Sequence, residues 1–200
     1  MRLSRADLPN VITILRMAAV IPLTWLLVER SYGGALLVFF VAGVSDAVDG
    51  FLAKRFNWES DLGGILDPLA DKLLLLSCYL VLGAQGWIPV WLLLLVLGRD
   101  LVIVAGALAF HYWIRPVTGQ PLLLSKANTF LQIVLVLVVL LALAGLQVVA
   151  QWQTMLVWAV TASTVLSGVQ YVVLWGVRAL IEVGEDQPDR DSAGRPPQNR

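Results

Sequence analysis

Two hundred residues that are 58% hydrophobic and only 14% charged do not have the composition of a water-soluble domain. Such domains run about 45–50% apolar, with about a quarter of their residues charged. Fourteen basic residues cancel fourteen acidic ones, which excludes a broadly basic nucleic-acid binder and an acidic solvated protein. The single cysteine, Cys78, excludes an internal disulfide framework and a Cys-rich metal site.

In chain order, residues 1–10 form a short polar lead in which Leu8-Pro9-Asn10 introduces the first apolar run. Six apolar runs follow, over residues 11–28, 32–53, 62–84, 87–112, 127–149 and 152–177. Each approaches or exceeds the roughly 20 residues that cross a bilayer core. None alternates with the period of two that a membrane barrel needs, so the runs are predicted as helices. Gly33-Gly34 is assigned to the turn between the first two. The domain is drawn over residues 11–180, and residues 181–200, rich in Asp, Pro, Gln and Arg, read as a disordered tail.

The fold class expected is therefore an all-α integral membrane protein with six transmembrane helices. Basic residues fix its orientation. With the N-terminus inside, the inner segments carry Arg2, Arg5, Lys54, Arg55, Arg115, Lys126 and Arg178, against Arg30 alone outside. Both termini are then cytoplasmic. Trp25, Trp87, Trp91, Trp113, Trp152 and Trp175 fall near run ends, as aromatic belts require, whereas Trp158 fits less well.

Against this apolar background the ionisable residues inside the runs stand out: Arg16, Asp46, Asp49, Asp67, Asp71, Lys72, Arg99 and Asp100. A charge at the bilayer centre costs about 2.5–3.5 kcal/mol on insertion scales unless paired or hydrated. Asp46 and Asp49 lie roughly 7–12 Å inside the inner end of their helix at 1.5 Å per residue, and Asp67 and Asp71 lie at a similar depth. Spacings of three and four residues put each pair on one helix face. Four converging carboxylates repel and need cations, and an oxygen-only ligand set suits Mg²⁺, Mn²⁺ or Ca²⁺. Gly50, Ala53, Gly63 and Gly64 leave room beside them for a metal-bound phosphate. Two other readings compete: internal ion pairs with Arg16, Lys72 and Arg99, or a cation pathway of a transporter. Against the latter, the polar residues cluster in the inner half instead of spanning the bilayer.

The stretch Asp46-Ala-Val-Asp49-Gly50-Phe-Leu-Ala53-Lys54, then eight residues, Gly63, three residues, Asp67, three residues and Asp71 resembles the signature of the CDP-alcohol phosphatidyltransferase family. Lys54 stands where that family usually has Arg, with Arg55 following. The resemblance implies an enzyme of phospholipid biosynthesis that transfers a phosphatidyl group from CDP-diacylglycerol to an alcohol and releases CMP. It further implies two divalent cations, Mg²⁺ or Mn²⁺, held by Asp46, Asp49, Asp67 and Asp71 in the cytoplasmic half of the helices. Asp49, Gly50, Ala53, Lys54 and Gly63 would cradle the cytidine diphosphate, and Asp71 would act as general base. A homodimer in a membrane, of the bacterial inner-membrane type, is implied as well.

The acceptor is read from further segments. Pro9-Asn10-x-x-Thr13-x-x-Arg16 resembles the opening of the glycerophospholipid branch. Gly98-Arg99-Asp100 and Ser125-Lys126-Ala-Asn128-Thr129-x-x-Gln132 resemble its CMP-forming, cardiolipin-making members, which use phosphatidylglycerol. The members that use glycerol-3-phosphate share much of this pattern and are the alternative. Arg16, Arg99 and Lys126 are the candidates for holding the acceptor's phosphate.

Overall fold

The computed structural model describes the backbone of residues 8–56, 61–113 and 123–185. Within these it describes the side chains of residues 12–48, 50, 55, 69–106, 123–174 and 176. Apart from short turns the described residues are helical, with no strand among them. Six α-helices run in order: α1 (Leu8–Val28), α2 (Tyr32–Phe56), α3 (Asp61–Ala84), α4 (Val90–Trp113), α5 (Leu123–Leu143) and α6 (Gln153–Glu185). A short 3-10 helix (Gln147–Trp152) precedes α6.

Two compact units emerge. The first comprises residues 1–93 and 129–160, and the second residues 94–128 and 161–200. In the first, α1 packs against both α2 and α3, burying Leu23, Leu27, Ala35, Phe39, Leu82 and Tyr79. Cys78 is fully buried in the same core, as a small apolar residue would be.

Three helices of this unit end in the same way. At the end of α1, Arg30 N–H donates to Leu27 O and Ser31 N–H to Leu26 O, with Arg30 left-handed at φ 58. At the end of α3, Gly86 and Trp87 donate to Gly83 and Leu82, with Gly86 at φ 81. At the end of α5, Gly145 and Leu146 donate to Ala142 and Leu141, with Gly145 at φ 114. Each is a Schellman turn, which returns the last orphan carbonyls of a helix to its own backbone.

These turns correct two expectations. The apolar run over 127–149 is not one helix, because α5 stops at Leu143 and the chain reverses at Gly145. Gly33-Gly34 does not make the first turn either; Arg30 does, and both glycines lie inside α2. At Gly34 a Cβ would come within 3.2 Å of Leu26 Cδ2, so there the missing side chain serves close packing. The N-terminal segment also enters helix earlier than drawn, at Leu8, with Pro9 in a first turn that tolerates its missing N–H. At the other end α6 extends to Glu185.

Side chains close the same end of the unit. Gln85 Nε2 donates to Leu27 O at 2.7 Å, Tyr32 Oη donates to Gln85 Oε1 at 3.0 Å, and Gln153 Nε2 donates to Trp87 O at 2.6 Å. Trp158, the poorer fit to an aromatic belt, packs its ring 5.9 Å from that of Trp91.

The distribution of polarity is reversed relative to a soluble protein. Arg16, Arg99, Asn128, Gln132 and Ser167 are buried, whereas Ile21, Leu37, Leu94, Phe130, Trp158 and Val172 are among many large apolar residues left exposed. Large apolar residues exposed in such number call for lipid or protein partners. Residues 123–143 and 147–174 are each long and apolar enough to cross a membrane, and 12–28 and 32–48 are shorter apolar helices.

Candidate active site

Within the first unit, the acidic cluster is organised around a buried cation. Arg16, on the third turn of α1, is 3% exposed. Its Nη1 donates to Asp71 Oδ1 on α3 at 2.7 Å and forms an ion pair with Asp46 Oδ1 on α2. One nitrogen therefore joins carboxylates from two different helices. The burial is unequal: the Arg16 side chain is 2% exposed, those of Asp46 and Asp71 39% and 42%. The cation is sealed inside the three-helix packing, and the carboxylates look outward from it.

The pairing follows from the folding of the sequence. Apolar residues on both sides of Arg16 drive α1 into the angle between α2 and α3, and a guanidinium carried there must find acceptors. Asp46 and Asp71 supply them. Asp49 lies three residues beyond Asp46 on α2, and Asp67 four before Asp71 on α3. The side chains of Asp49, Ala53, Lys54, Gly63 and Asp67 lie outside the described ones. Gly50 is exposed, and a Cβ there would meet nothing within 4 Å, so the backbone is open to a ligand. Among the described residues no three potential ligands form a metal group. The donor set that is described nevertheless fits a hard divalent cation: two carboxylates from separate helices, brought to one point, each partly open.

Beside this cluster a groove of about 670 Å³ runs between α1 and α2. Its walls include Leu15, Ala19 and Pro22 from α1 and Val38, Val41 and Val48 from α2, with Arg16 and Ser45 as polar members. Ala19 and Ser45, being small, leave part of the space between the two helices unfilled. The volume is in the range of about 300–1,000 Å³ typical of ligand sites.

The second unit holds a separate polar network, centred on Arg99 of α4. Its Nη1 donates to Asp100 Oδ1 at 2.8 Å, and its Nη2 donates to Ser125 Oγ on α5 and Ser167 Oγ on α6, each at 2.6 Å. The Tyr171 ring lies 5.8 Å from the guanidinium carbon, within cation–π range. Close by in sequence, fully buried Asn128 accepts through Oδ1 from Ser163 and Thr164 hydroxyls, both at 2.8 Å. Lys126 is exposed.

Of the three cations singled out for an acceptor phosphate, Arg16 and Arg99 are thus committed to protein groups, while Lys126 faces outward. Sequence reading missed Ser163, Thr164, Ser167 and Tyr171. Their signal was present as hydroxyls at helical spacing in an otherwise apolar α6.

Known proteins supply the context for this geometry. The profile of the CDP-alcohol phosphatidyltransferase family matches residues 6–167. The chain is 40% identical over 131 residues to a cardiolipin synthase (CMP-forming) of Streptomyces coelicolor, covering 62% of this chain and 60% of that protein. It is 33% identical over 145 residues to the human cardiolipin synthase (CMP-forming), covering 64% and 48%. It is also 33% identical over 183 residues to a chloroplastic CDP-diacylglycerol--glycerol-3-phosphate 3-phosphatidyltransferase of Oryza sativa subsp. japonica, covering 82% and 56%. The chain spans about half to three-fifths of the length of these curated relatives. With the profile matched over most of its length, this chain belongs to the CDP-alcohol phosphatidyltransferase family.

Proposed function

We propose that this protein is a phosphatidyltransferase of phospholipid biosynthesis. It takes a phosphatidyl group from CDP-diacylglycerol, passes it to a glycerol-type acceptor, with phosphatidylglycerol preferred, and releases CMP. The observation that carries the reading is the meeting of Asp46 and Asp71, from two helices, at a partly open point beside a long apolar groove. The family and the activities for which these relatives are named support it.

Asp46, Asp49, Asp67 and Asp71 are the residues that would hold divalent cations, Mg²⁺ or Mn²⁺. Bound there, such cations neutralise pyrophosphate charge and assist departure of the CMP phosphate. The chain's own groups perform the remaining tasks. Asp71 takes the proton from the acceptor hydroxyl. That oxygen bonds to the phosphorus carrying diacylglycerol, and the bond from this phosphorus to the bridging oxygen breaks, leaving CMP with the electron pair. Gly50, with its open face, and Asp49, Ala53, Lys54 and Gly63 cradle the cytidine diphosphate. The α1–α2 groove takes one acyl chain of the donor, which keeps lipid in an apolar channel while the nucleotide stays in water. The six helices span the membrane with the site in the cytoplasmic half and both termini cytoplasmic, and the protein works as a homodimer.

Glycerol-3-phosphate is the second reading for the acceptor, favoured by the rice relative, which aligns with 82% of the chain. Purified protein is given labelled CDP-diacylglycerol with Mg²⁺ and either phosphatidylglycerol or glycerol-3-phosphate, and CMP and the lipid products are resolved. CMP release and cardiolipin are expected with phosphatidylglycerol, and Asp46→Asn or Asp71→Asn should lower the rate at least a hundredfold. Equal turnover in excess chelator would sink the metal-dependent mechanism, and no CMP with either acceptor would sink the transferase.

A further inference from the structure

We infer that Arg16 is an internal competitor for the cation site, a fixed positive charge that limits how tightly Asp46 and Asp71 bind a divalent ion. The inference rests on the proposed role of those carboxylates as metal ligands and deepens it. Its structural basis is independent of that role. The Arg16 side chain is 2% exposed, and one of its nitrogens contacts a carboxylate oxygen from α2 and one from α3. A guanidinium stays protonated in proteins, so this charge is permanent.

Two consequences follow from electrostatics. An oxygen that accepts from a guanidinium has part of its negative potential already compensated, so it presents a weaker field to another cation. A divalent ion reaching the same two oxygens also sits beside a buried positive charge, in surroundings that screen less than water. Four signature carboxylates carry four negative charges. Arg16 cancels one of them, lowering the mutual repulsion that would otherwise oppose packing α2 against α3 through α1. The same charge that lets the cluster fold therefore weakens its metal binding. Weak, exchangeable binding suits a site whose cations are completed by a substrate pyrophosphate.

This differs from holding the acceptor's phosphate, the role for which Arg16 was first singled out. It also goes beyond an ion pair that only joins helices, because the two oxygens Arg16 holds are the ones proposed to bind metal.

The test is Mn²⁺ binding to the purified full-length protein in detergent, read from the free-Mn²⁺ signal in electron paramagnetic resonance, with no substrate present. Wild type is compared with Arg16→Gln and Arg16→Lys. Arg16→Gln should lower the Kd for Mn²⁺ at least tenfold. Arg16→Lys keeps the charge on one nitrogen, which is all the contact with both carboxylates uses, and should leave the Kd within about twofold of wild type. If Arg16→Gln fails to fold, Arg16→Met, uncharged and similarly long, decides. A Kd unchanged or weaker in the folded uncharged variant overturns the inference and leaves the metal site standing. Wild type that binds no Mn²⁺ overturns the metal site itself, and the inference with it.

Discussion

Arg99→Met gives a sharp test of how the second unit is held together. The substitution keeps an unbranched, similarly bulky side chain and removes the guanidinium, so little cavity is created. What is lost can be counted from the geometry. Two hydroxyl contacts, to Ser125 and Ser167, are each 2.6 Å. Hydrogen bonds between membrane helices average about 0.6 kcal/mol and reach about 1.7, and these two are short and charge-assisted. The Tyr171 contact adds about 0.5–1 kcal/mol, and Asp100, 27% exposed, loses its near neighbour at a cost of about 1. Both serines can turn to helix carbonyls and recover part of the loss. A net cost of about 3 kcal/mol results, and at about 2–4 °C per kcal/mol for a protein of this size the Tm should fall about 6–12 °C. Thermal unfolding in detergent, followed by circular dichroism, measures it. A double-mutant cycle with Ser167→Ala should show coupling of about 1 kcal/mol. A Tm within 2 °C of wild type (roughly the shift from one weak bond), or strict additivity in the cycle, would refute the network as a structural tie.

Four further outcomes are expected. Asn128→Leu leaves the Ser163 and Thr164 hydroxyls without their shared acceptor, costing about 1–3 kcal/mol, read as a lower Tm; an unchanged Tm would show the hydroxyls re-bonded at no cost. Arg30→Gly relieves a left-handed residue that carries a Cβ, and a gain of about 0.5–1 kcal/mol should raise the Tm a few degrees, whereas a fall would place Arg30's value in its side chain. Val41→Trp fills the α1–α2 groove and should raise the KM for CDP-diacylglycerol severalfold with kcat retained; an unaltered KM removes the acyl chain from the groove. Chelator should stop CMP release and added Mn²⁺ restore it, measured by nucleotide chromatography.

The first four helices were legible from their apolar runs, because twenty-odd apolar residues between short polar breaks admit few alternatives. The end of α5 was not. Val148 and Val149 prolong the apolar run past Gly145, and hydropathy alone cannot reveal that this glycine turns left-handed. Arg30 was hidden for the opposite reason: a charged residue with a Cβ is an unusual choice for that conformation, and the neighbouring glycines drew the assignment. At the site, the anomaly of the carboxylates and of Arg16 could be read directly, since charge in an apolar run is conspicuous. Their pairing could not, because Arg16 lies 55 residues from Asp71 and only the packing of α1 against both partners joins them. Ser167 and Tyr171 were illegible singly. Each is an ordinary helix residue until Arg99 gathers them.

The three Schellman turns have a consequence for where polarity can be spent. A helix that ends this way returns two of its last carbonyls to its own backbone and asks correspondingly less of side chains, water or lipid headgroups at that end. With α1, α3 and α5 all finished this way, one end of the first unit is closed with a few amide staples, Gln85 and Gln153 among them. Arg16 and Asp71 lie instead near the middle of α1 and α3, so charge is concentrated away from those ends, where few polar groups are needed.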